Sequence, residues 1–257
     1  MYRLAAAIYR YRELLLILVA RNLKIRYKSS MLGFFWSLLV PIALIVIYSF
    51  FLNILKVSTN LATLVVGIIV WQFLVTCMGD SLHAIIGNGP LVKKTSFPRI
   101  ILPMAMVLGN LVNFFLSCVV LAAFLIVVGS DVGSLYFLPF AILTQIALCT
   151  GLALVISSSN VFFRDTEHLV SIITIAWFFL TPVIYPFSFV RDNVPQWEYL
   201  LSLNPMAGIV ETYRSALISA PPMPEGMLAV SFTVAWTVFI AGIIVFQLSQ
   251  SRFAEEL

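Results

Sequence analysis

The residues of this chain that could do chemistry are few, and each set falls short of the pattern its chemistry requires. "GNGPLVKK" at 87–94 puts two glycines beside two lysines, the ingredients of a phosphate cradle. Such a cradle needs a glycine, four residues and then Gly-Lys-Ser/Thr, so that backbone N–H groups wrap the phosphates and the lysine reaches them. Here the spacing is wrong, Pro90 interrupts it, and the full pattern occurs nowhere in the 257 residues. No Ser-His-Asp set is legible, and His83 and His168 stand alone without metal-ligand spacing. Asp80 is the one acid near the interior of an apolar run and reads as a boundary carboxylate; no carboxylate pair is expected at depth. Cys77, Cys118 and Cys149 lie in separate apolar stretches, an odd count that speaks against a disulfide framework. The expectation is a chain that is not an enzyme and holds no metal or cofactor of its own. What it does carry is basic residues, 35 aromatic rings (21 Phe, 9 Tyr, 5 Trp), and two prolines four apart in the apolar "WFFLTPVIYP" at 177–186.

The elements that must position these groups follow from composition. The chain is 61% hydrophobic and 10% charged, with mean hydropathy +1.05, whereas a soluble domain carries about 25% charge. It reads as an all-α integral membrane protein. Seven basic residues are scattered through the first thirty, so no cleavable signal peptide is expected. Six uncharged runs are long enough for the ~20 residues that cross ~30 Å of hydrocarbon: 29–55, 57–79, 100–130, 132–163, 169–190 and 226–251. "DVGS" at 131–134 joins the third run to the fourth. Six crossings leave both termini on one side. Of the fifteen Lys and Arg, all but Lys56, Arg191 and Arg214 fall on that side, which makes it the cytoplasm. The net charge of +4 reflects this topology and implies no nucleic-acid partner. The spans hold almost no ionisable groups, so energy for any transport would come from outside them.

Residues 1–30 form a different element. On a helix, Arg3, Arg10, Arg21, Lys24 and Lys28 fall within an arc of about 60°, with Arg12 and Arg26 pointing elsewhere. A narrow basic stripe on an apolar helix suits one lying in the interface with its cations among lipid headgroups; the alternative is a plain positive anchor. Between the fifth and sixth spans, 187–222 reads as a hairpin of two short amphipathic helices, too short to cross. Pro195 opens the first behind an Asp192 or Asn193 cap. Asn204 and Pro205 start the second as N-cap and first helical residue, with Met206, Ile209, Val210, Tyr213 and Leu217 as its apolar face and Ala220-Pro221-Pro222 as its end. Pro182 lies about 21 Å along a helix from His168, short of a full crossing. The fifth span either ends early there or bends into the hairpin, with the Thr181 hydroxyl and Tyr185 phenol free to bond the released carbonyls. Trp36, Tyr48, Phe50, Phe51, Trp71 and Phe73 lie in the first two spans; they either pack in the core and against lipid or give a pore faces on which sugar rings can slide.

Five stretches taken together resemble the permease subunits of ABC exporters for polysaccharides (O-antigen, teichoic acid, capsule), and most of all the O-antigen type. They are "RNLKIRYKSSMLGFFWSLLVP" (21–41), "GNGPLVKKTSFPRIILP" (87–103), "SSNVFFRDTEH" (158–168), "WFFLTPVIYP" (177–186) and "LNPMAGIVETYRSAL" (203–217). The resemblance spans nearly the whole chain and implies one domain over 1–257. It further implies a homodimer with a channel at its two-fold axis, in the bacterial cytoplasmic (inner) membrane. Two copies of a separate ATPase would bind ATP and Mg, and the substrate would be a glycan on an undecaprenyl-diphosphate-like lipid. Residues 87–98 would be the coupling segment that docks on the ATPase, through Leu91, Lys93, Lys94, Phe97 and Arg99. Arg164 and Asp165 either make a second such contact or cap the fifth helix. The hairpin would be an outer gate, with Thr181, Pro182, Tyr185, Pro186, Asn204, Pro205 and Tyr213 at its joints and Trp36, Tyr48, Trp71 and Phe73 along the channel. A drug or small-lipid exporter, or a membrane scaffold for glycan synthesis, are the competing expectations.

Overall fold

The computed structural model describes residues 9–27, 35–55, 60–94, 97–220 and 226–257, and among them all regular structure is helical. Arg3, Phe51 and Lys28 of the sequence reading, and Pro221 and Pro222, fall on residues or side chains outside that description. In chain order the helices are α1 (Arg12–Tyr27), α2 (Trp36–Leu55), α3 (Leu61–Leu82), α4 (Gly89–Lys94), α5 (Ile101–Val128) and α6 (Leu138–Phe162). They continue as α7 (Thr166–Phe179), α8 (Phe187–Asn193), α9 (Glu198–Ser202), α10 (Pro205–Leu217), α11 (Met227–Ser249) and α12 (Phe253–Glu256).

Each uncharged run of the sequence carries a long helix, the fifth run also taking in the start of α8; among the described residues, length and apolarity qualify four helices to cross a membrane: α3, α5, α6 and α11. α2 has 20 residues, with an apolar stretch over 38–50 among the described side chains, whereas α7 has only 14, about 21 Å at 1.5 Å per residue. α7 is short because the chain unwinds at Leu180, two residues before the first proline of "TPVIYP", where a prolyl ring would clash with the preceding turn.

The boundaries have local causes. Asn60 caps α3, its Oδ1 accepting from Ala62 N at 2.9 Å. Gly129 ends α5 in a left-handed conformation (φ 71°) that a side chain would disfavour, and Ser130 N closes the turn on Leu125 O at 3.1 Å. α3 runs through the centre of the bundle and is buried along most of its length. α6 is tied to it by side-chain amides: Gln145 Nε2 donates to Val70 O and Asn160 Nδ2 to Leu82 O, both at 2.8 Å. α6 and α11 approach closely at Gly151 and Gly242; a Cβ on Gly151 would lie 2.6 Å from Val238 O. Small residues at such crossings let backbones pack where no hydrophobic force drives helices together. The outward faces carry Val119, Ile126, Ile172, Ile175, Ile244 and Leu248, as lipid contact requires.

Candidate functional site

One end of the bundle carries α1, α4 and α12, and with them most of the basic residues. α1 rests on α5 through buried Leu15 and Leu18 and turns Leu16, Ile17 and Ile25 outward. An apolar outer face beside exposed Arg10 and Lys24 suits the interfacial placement. The basic stripe is not wholly free, however. Arg21 donates to Asn88 Oδ1, and Asn88 Nδ2 donates in turn to Ala84 O at 2.8 Å, so α1 is bonded to the turn that starts α4.

On α4, Lys93 and Lys94 are exposed and Val92 is buried. Leu91 and Phe97 are half-buried against a core cluster of this same chain, which includes Ile85, Ile100 and Phe253. Phe97 is therefore not a free anchor; the exposed charges of this stretch are Lys93 and Lys94, beside exposed Gly87 and Pro90. α12 holds α4 from the other side. Its Phe253 is fully enclosed, edge-on to Phe246 at 5.3 Å and tilted on Phe162 at 6.0 Å. Arg99 donates to Gln250 O just before it. Arg164 and Asp165 are exposed. The capping role considered for Asp165 is corrected: it precedes α7 with helical backbone angles and its carboxylate makes no capping bond. The Thr166 hydroxyl instead donates to Phe163 O at 2.6 Å.

Asp80 is not a lone boundary carboxylate. Arg26, 54 residues away, forms an ion pair with it, each side chain 35% exposed. Asn110 closes the set, donating from Nδ2 to Asp80 Oδ2 at 2.7 Å and accepting from Arg26 Nη1 at 2.9 Å. These bonds fix the C-terminal end of α1 to α3 and α5. Partly solvated pairs of this kind are worth at most about 1 kcal/mol. A thermal double-mutant cycle of Arg26→Ala and Asp80→Ala should give a coupling of that order, and a coupling of zero would show that the contact does not hold α1.

Beside this triad, α2, α3 and α5, with Arg26 of α1, line a half-open cavity of about 400 Å3. Of the four channel aromatics, Trp36 (47% exposed) and Phe73 line it. Trp71 is buried inside the single chain, edge-on to Trp177 and Phe178 at 6.0 and 5.6 Å, and Tyr48 is half-buried against the core.

The opposite end holds the segment between α7 and α11. Its first half is not one helix but α8, a 3-10 turn at Pro195–Trp197 and α9. Neither Asp192 nor Asn193 caps that turn; Asn193 Nδ2 donates back to Phe189 O at 2.9 Å. The second half begins as the sequence predicts: Pro205 is the first residue of α10 and Asn204 Oδ1 accepts from Met206 N at 3.0 Å. α10 is buried on nearly every side, with Tyr213 edge-on to Phe114 at 6.0 Å.

Where α7 unwinds, its released carbonyls are taken up by side chains. Thr181 Oγ1 donates to Trp177 O at 2.8 Å and Tyr185 OH to Phe179 O at 3.2 Å. Asn204 Nδ2 donates to Leu180 O at 3.0 Å and to Thr181 Oγ1 at 2.9 Å, while its Oδ1 also accepts from Trp177 Nε1 at 2.9 Å. Arg214 takes the rest. Its Nη1 donates to Pro182 O (2.6 Å) and Tyr185 O (3.1 Å), its Nη2 to Val183 O (2.7 Å), and its Nε to Thr63 O (3.0 Å) at the start of α3. Its charge is met by Glu211 one turn earlier, with Nη1 to Oε1 at 2.7 Å; Glu211 Oε1 also accepts from Phe187 N at 3.1 Å. The Arg214 side chain is 0% exposed. Gly67 makes room for it: a Cβ there would lie 2.5 Å from Val183 O and 2.7 Å from Arg214 Nη2. The sequence alone does not reveal this pair: Arg214 there is only one of the three basic residues off the cytoplasmic side. The available signal was an acid and a base at i, i+3 on a short helix whose remaining positions are almost all small or apolar.

Comparison with known proteins adds a second line. Residues 13–218 match the family model of the ABC-2 type transporter. The chain is 32% identical to the O-antigen export system permease protein RfbA of Myxococcus xanthus, with both chains covered in full. It is 28% and 29% identical to two proteins of that name from Klebsiella pneumoniae, over 95% of each chain. An all-helical bundle with four membrane-length helices, matched over most of its length by that family model, belongs to the ABC-2 type transporter family.

Proposed function

We propose that the chain is the channel-forming permease subunit of an ATP-driven exporter that carries a lipid-linked, O-antigen-like polysaccharide across the bacterial cytoplasmic membrane. The observation that carries this reading is its similarity, along the whole chain, to permeases named for O-antigen export. In this reading two copies form a homodimer with two copies of an ATPase subunit, which binds the ATP and Mg. Six helices cross and both termini are cytoplasmic, as the positive-inside rule favours; α7 completes its crossing through the unwound stretch 180–186. Exposed Lys93 and Lys94 dock on the ATPase, with Arg164 and Asp165 as a second contact. Leu91, Phe97 and Arg99 bind α4 to its own bundle and so carry its movement inward. Arg10 and Lys24, with Arg3 and Lys28, draw the lipid diphosphate to the cytoplasmic rim. Thr181, Pro182, Tyr185 and Pro186 join α7 to a gate whose second arm starts at Asn204 and Pro205 and packs through Tyr213.

The test is restoration of surface polysaccharide in cells lacking their own permease, with the chain expressed beside its ATPase. The wild-type chain should restore it, and accumulation of lipid-linked glycan inside the cell would sink the proposal. In the same assay Lys93→Glu with Lys94→Glu should cut export about tenfold or more, since reversed charges oppose docking. Unchanged export from a normally assembled complex would remove α4 from the coupling role.

A further inference from the structure

The cavity beside the Arg26–Asp80 pair is a slot with the depth of one leaflet. Its lining on α3 starts at Ile69, and from there to Asp80 the helix rises about 16 Å, roughly half of the ~30 Å of bilayer hydrocarbon. Arg26 and Trp36 mark the end nearer α1, where a half-exposed indole suits the headgroup boundary. Past Leu44 and Ile69 the gap between α2 and α3 narrows to a seam of Ile45, Tyr48, Val65 and Ile68 with no room for water, so the slot is blind at mid-depth. Val40, Pro41 and Leu44 line it from α2, and Phe73 and Phe114, nearly buried and stacked on each other, complete the apolar wall. Most polar groups of the lining are bonded within the chain. Thr76 donates to Gln72 O and Phe73 O and Ser117 to Asn113 O, all at 3.0 Å. Asn110 is held by Asp80 and Arg26, and Asn113 is engaged as well. Gln72 is exposed, at the open side.

Such a slot does not stay empty in a bilayer. Water would find few groups to bond, and a void would forfeit dispersion contacts along its whole wall. About 400 Å3 spread over that depth leaves a width of about 5 Å, room for one aliphatic chain, whose carbons pack ~4 Å from their neighbours. A helix of a second copy, about 10–12 Å wide, does not fit. The long tail of a polyprenyl carrier would meet the blind end, and its diphosphate would find no spare cation. Among the described residues Arg26 is the sole ion lining the slot, and Asp80 neutralises it. A head with one phosphate and one amine instead balances an Arg–Asp pair. We infer that this slot, inside a single subunit, binds one acyl chain of a zwitterionic phospholipid from the leaflet on the α1 side, with the headgroup beside Arg26 and Asp80. The occupant is a lipid of the bilayer and not the cargo, so the inference stands whatever the protein exports.

The test uses the full chain, purified and exchanged into detergent until loosely held lipid is gone, with Val40→p-benzoylphenylalanine as the photo-reactive probe in the slot. Irradiation should add the mass of an intact, amine-bearing phospholipid. The same probe at Val46, which is exposed and lines neither the slot nor the seam, should give at least tenfold less. Equal adducts at both positions, an adduct of polyprenyl carrier or glycan at 40, or no lipid adduct at 40 would each overturn the assignment. Ser117→Trp, which fills the slot from α5, should lower the adduct at 40 at least tenfold while protein level and helix content stay unchanged. Should that variant not accumulate, Leu44→Trp fills the same slot from α2 and is read in the same way. An undiminished adduct in either folded background would overturn the assignment too.

Discussion

Arg214→Ala is expected to abolish export and to lower the thermal midpoint of the purified complex more than any other single substitution between α7 and α11. The guanidinium makes five hydrogen bonds from one fully buried site: four to the carbonyls of Thr63, Pro182, Val183 and Tyr185, and one to Glu211. Removing it leaves those acceptors without water in reach and strands a carboxylate that is itself 6% exposed. Breaking a buried pair from one side costs about 3–5 kcal/mol, a large share of the 5–15 kcal/mol that holds a typical domain together. Arg214→Lys keeps the charge but replaces a planar fork with a point donor, and should retain part of the midpoint and little export. Arg214→Ala with Glu211→Ala should cost less than the two single changes summed, because the stranded charge is gone. A midpoint and export rate for Arg214→Ala equal to wild type would show that the unwound stretch is held by something else.

The second large effect is expected at the opposite end. Phe253→Ala should lower the midpoint by the equivalent of about 3–5 kcal/mol, the usual cost of emptying an aromatic core site. Its ring is the common wall between the end of α6 (Phe162), the end of α11 (Phe246) and the cluster on which Leu91 and Phe97 rest. Emptying it loosens α4 from the bundle without touching Lys93 or Lys94. Binding of the ATPase should therefore survive while export per ATP hydrolysed falls. Phe253→Leu, which refills most of the space, should recover both stability and export. Loss of ATPase binding in Phe253→Ala would place the docking surface on α12 itself.

What could be read from the chain alone was whatever is decided over a few residues. The helix break at "TPVIYP", the Asn204 cap, and the placing of a long helix in each uncharged run follow from local sterics and hydropathy. What could not be read depends on partners brought together from far apart. Asp80 looks solitary until Arg26 reaches it across 54 residues. Arg214 looks like an outer-side helix cation until the carbonyls of a broken helix close round it. Phe97 looks like an exposed anchor until Phe253, from the last helix, is placed near it. The crossing count shows the same limit, since charge spacing gives a run its length but the unwinding at Leu180 decides how much of it is helix.

The Asn204–Pro205 step has a bearing on how the protein ages. Asparagine amides are lost slowly in water when the next residue's backbone nitrogen attacks the side-chain carbonyl and expels ammonia. At Asn204 that loss would be costly, because the Nδ2 group is what donates to Leu180 O and Thr181 Oγ1; a carboxylate there would face Leu180 O with no proton between them and could only compete for the Thr181 hydroxyl proton that now goes to Trp177 O. Proline has no backbone N–H, and its tertiary nitrogen does not complete the cyclisation. The residue that sets the first turn of α10 thus also shields, for the working life of the protein, the one amide that stitches α10 to the end of α7.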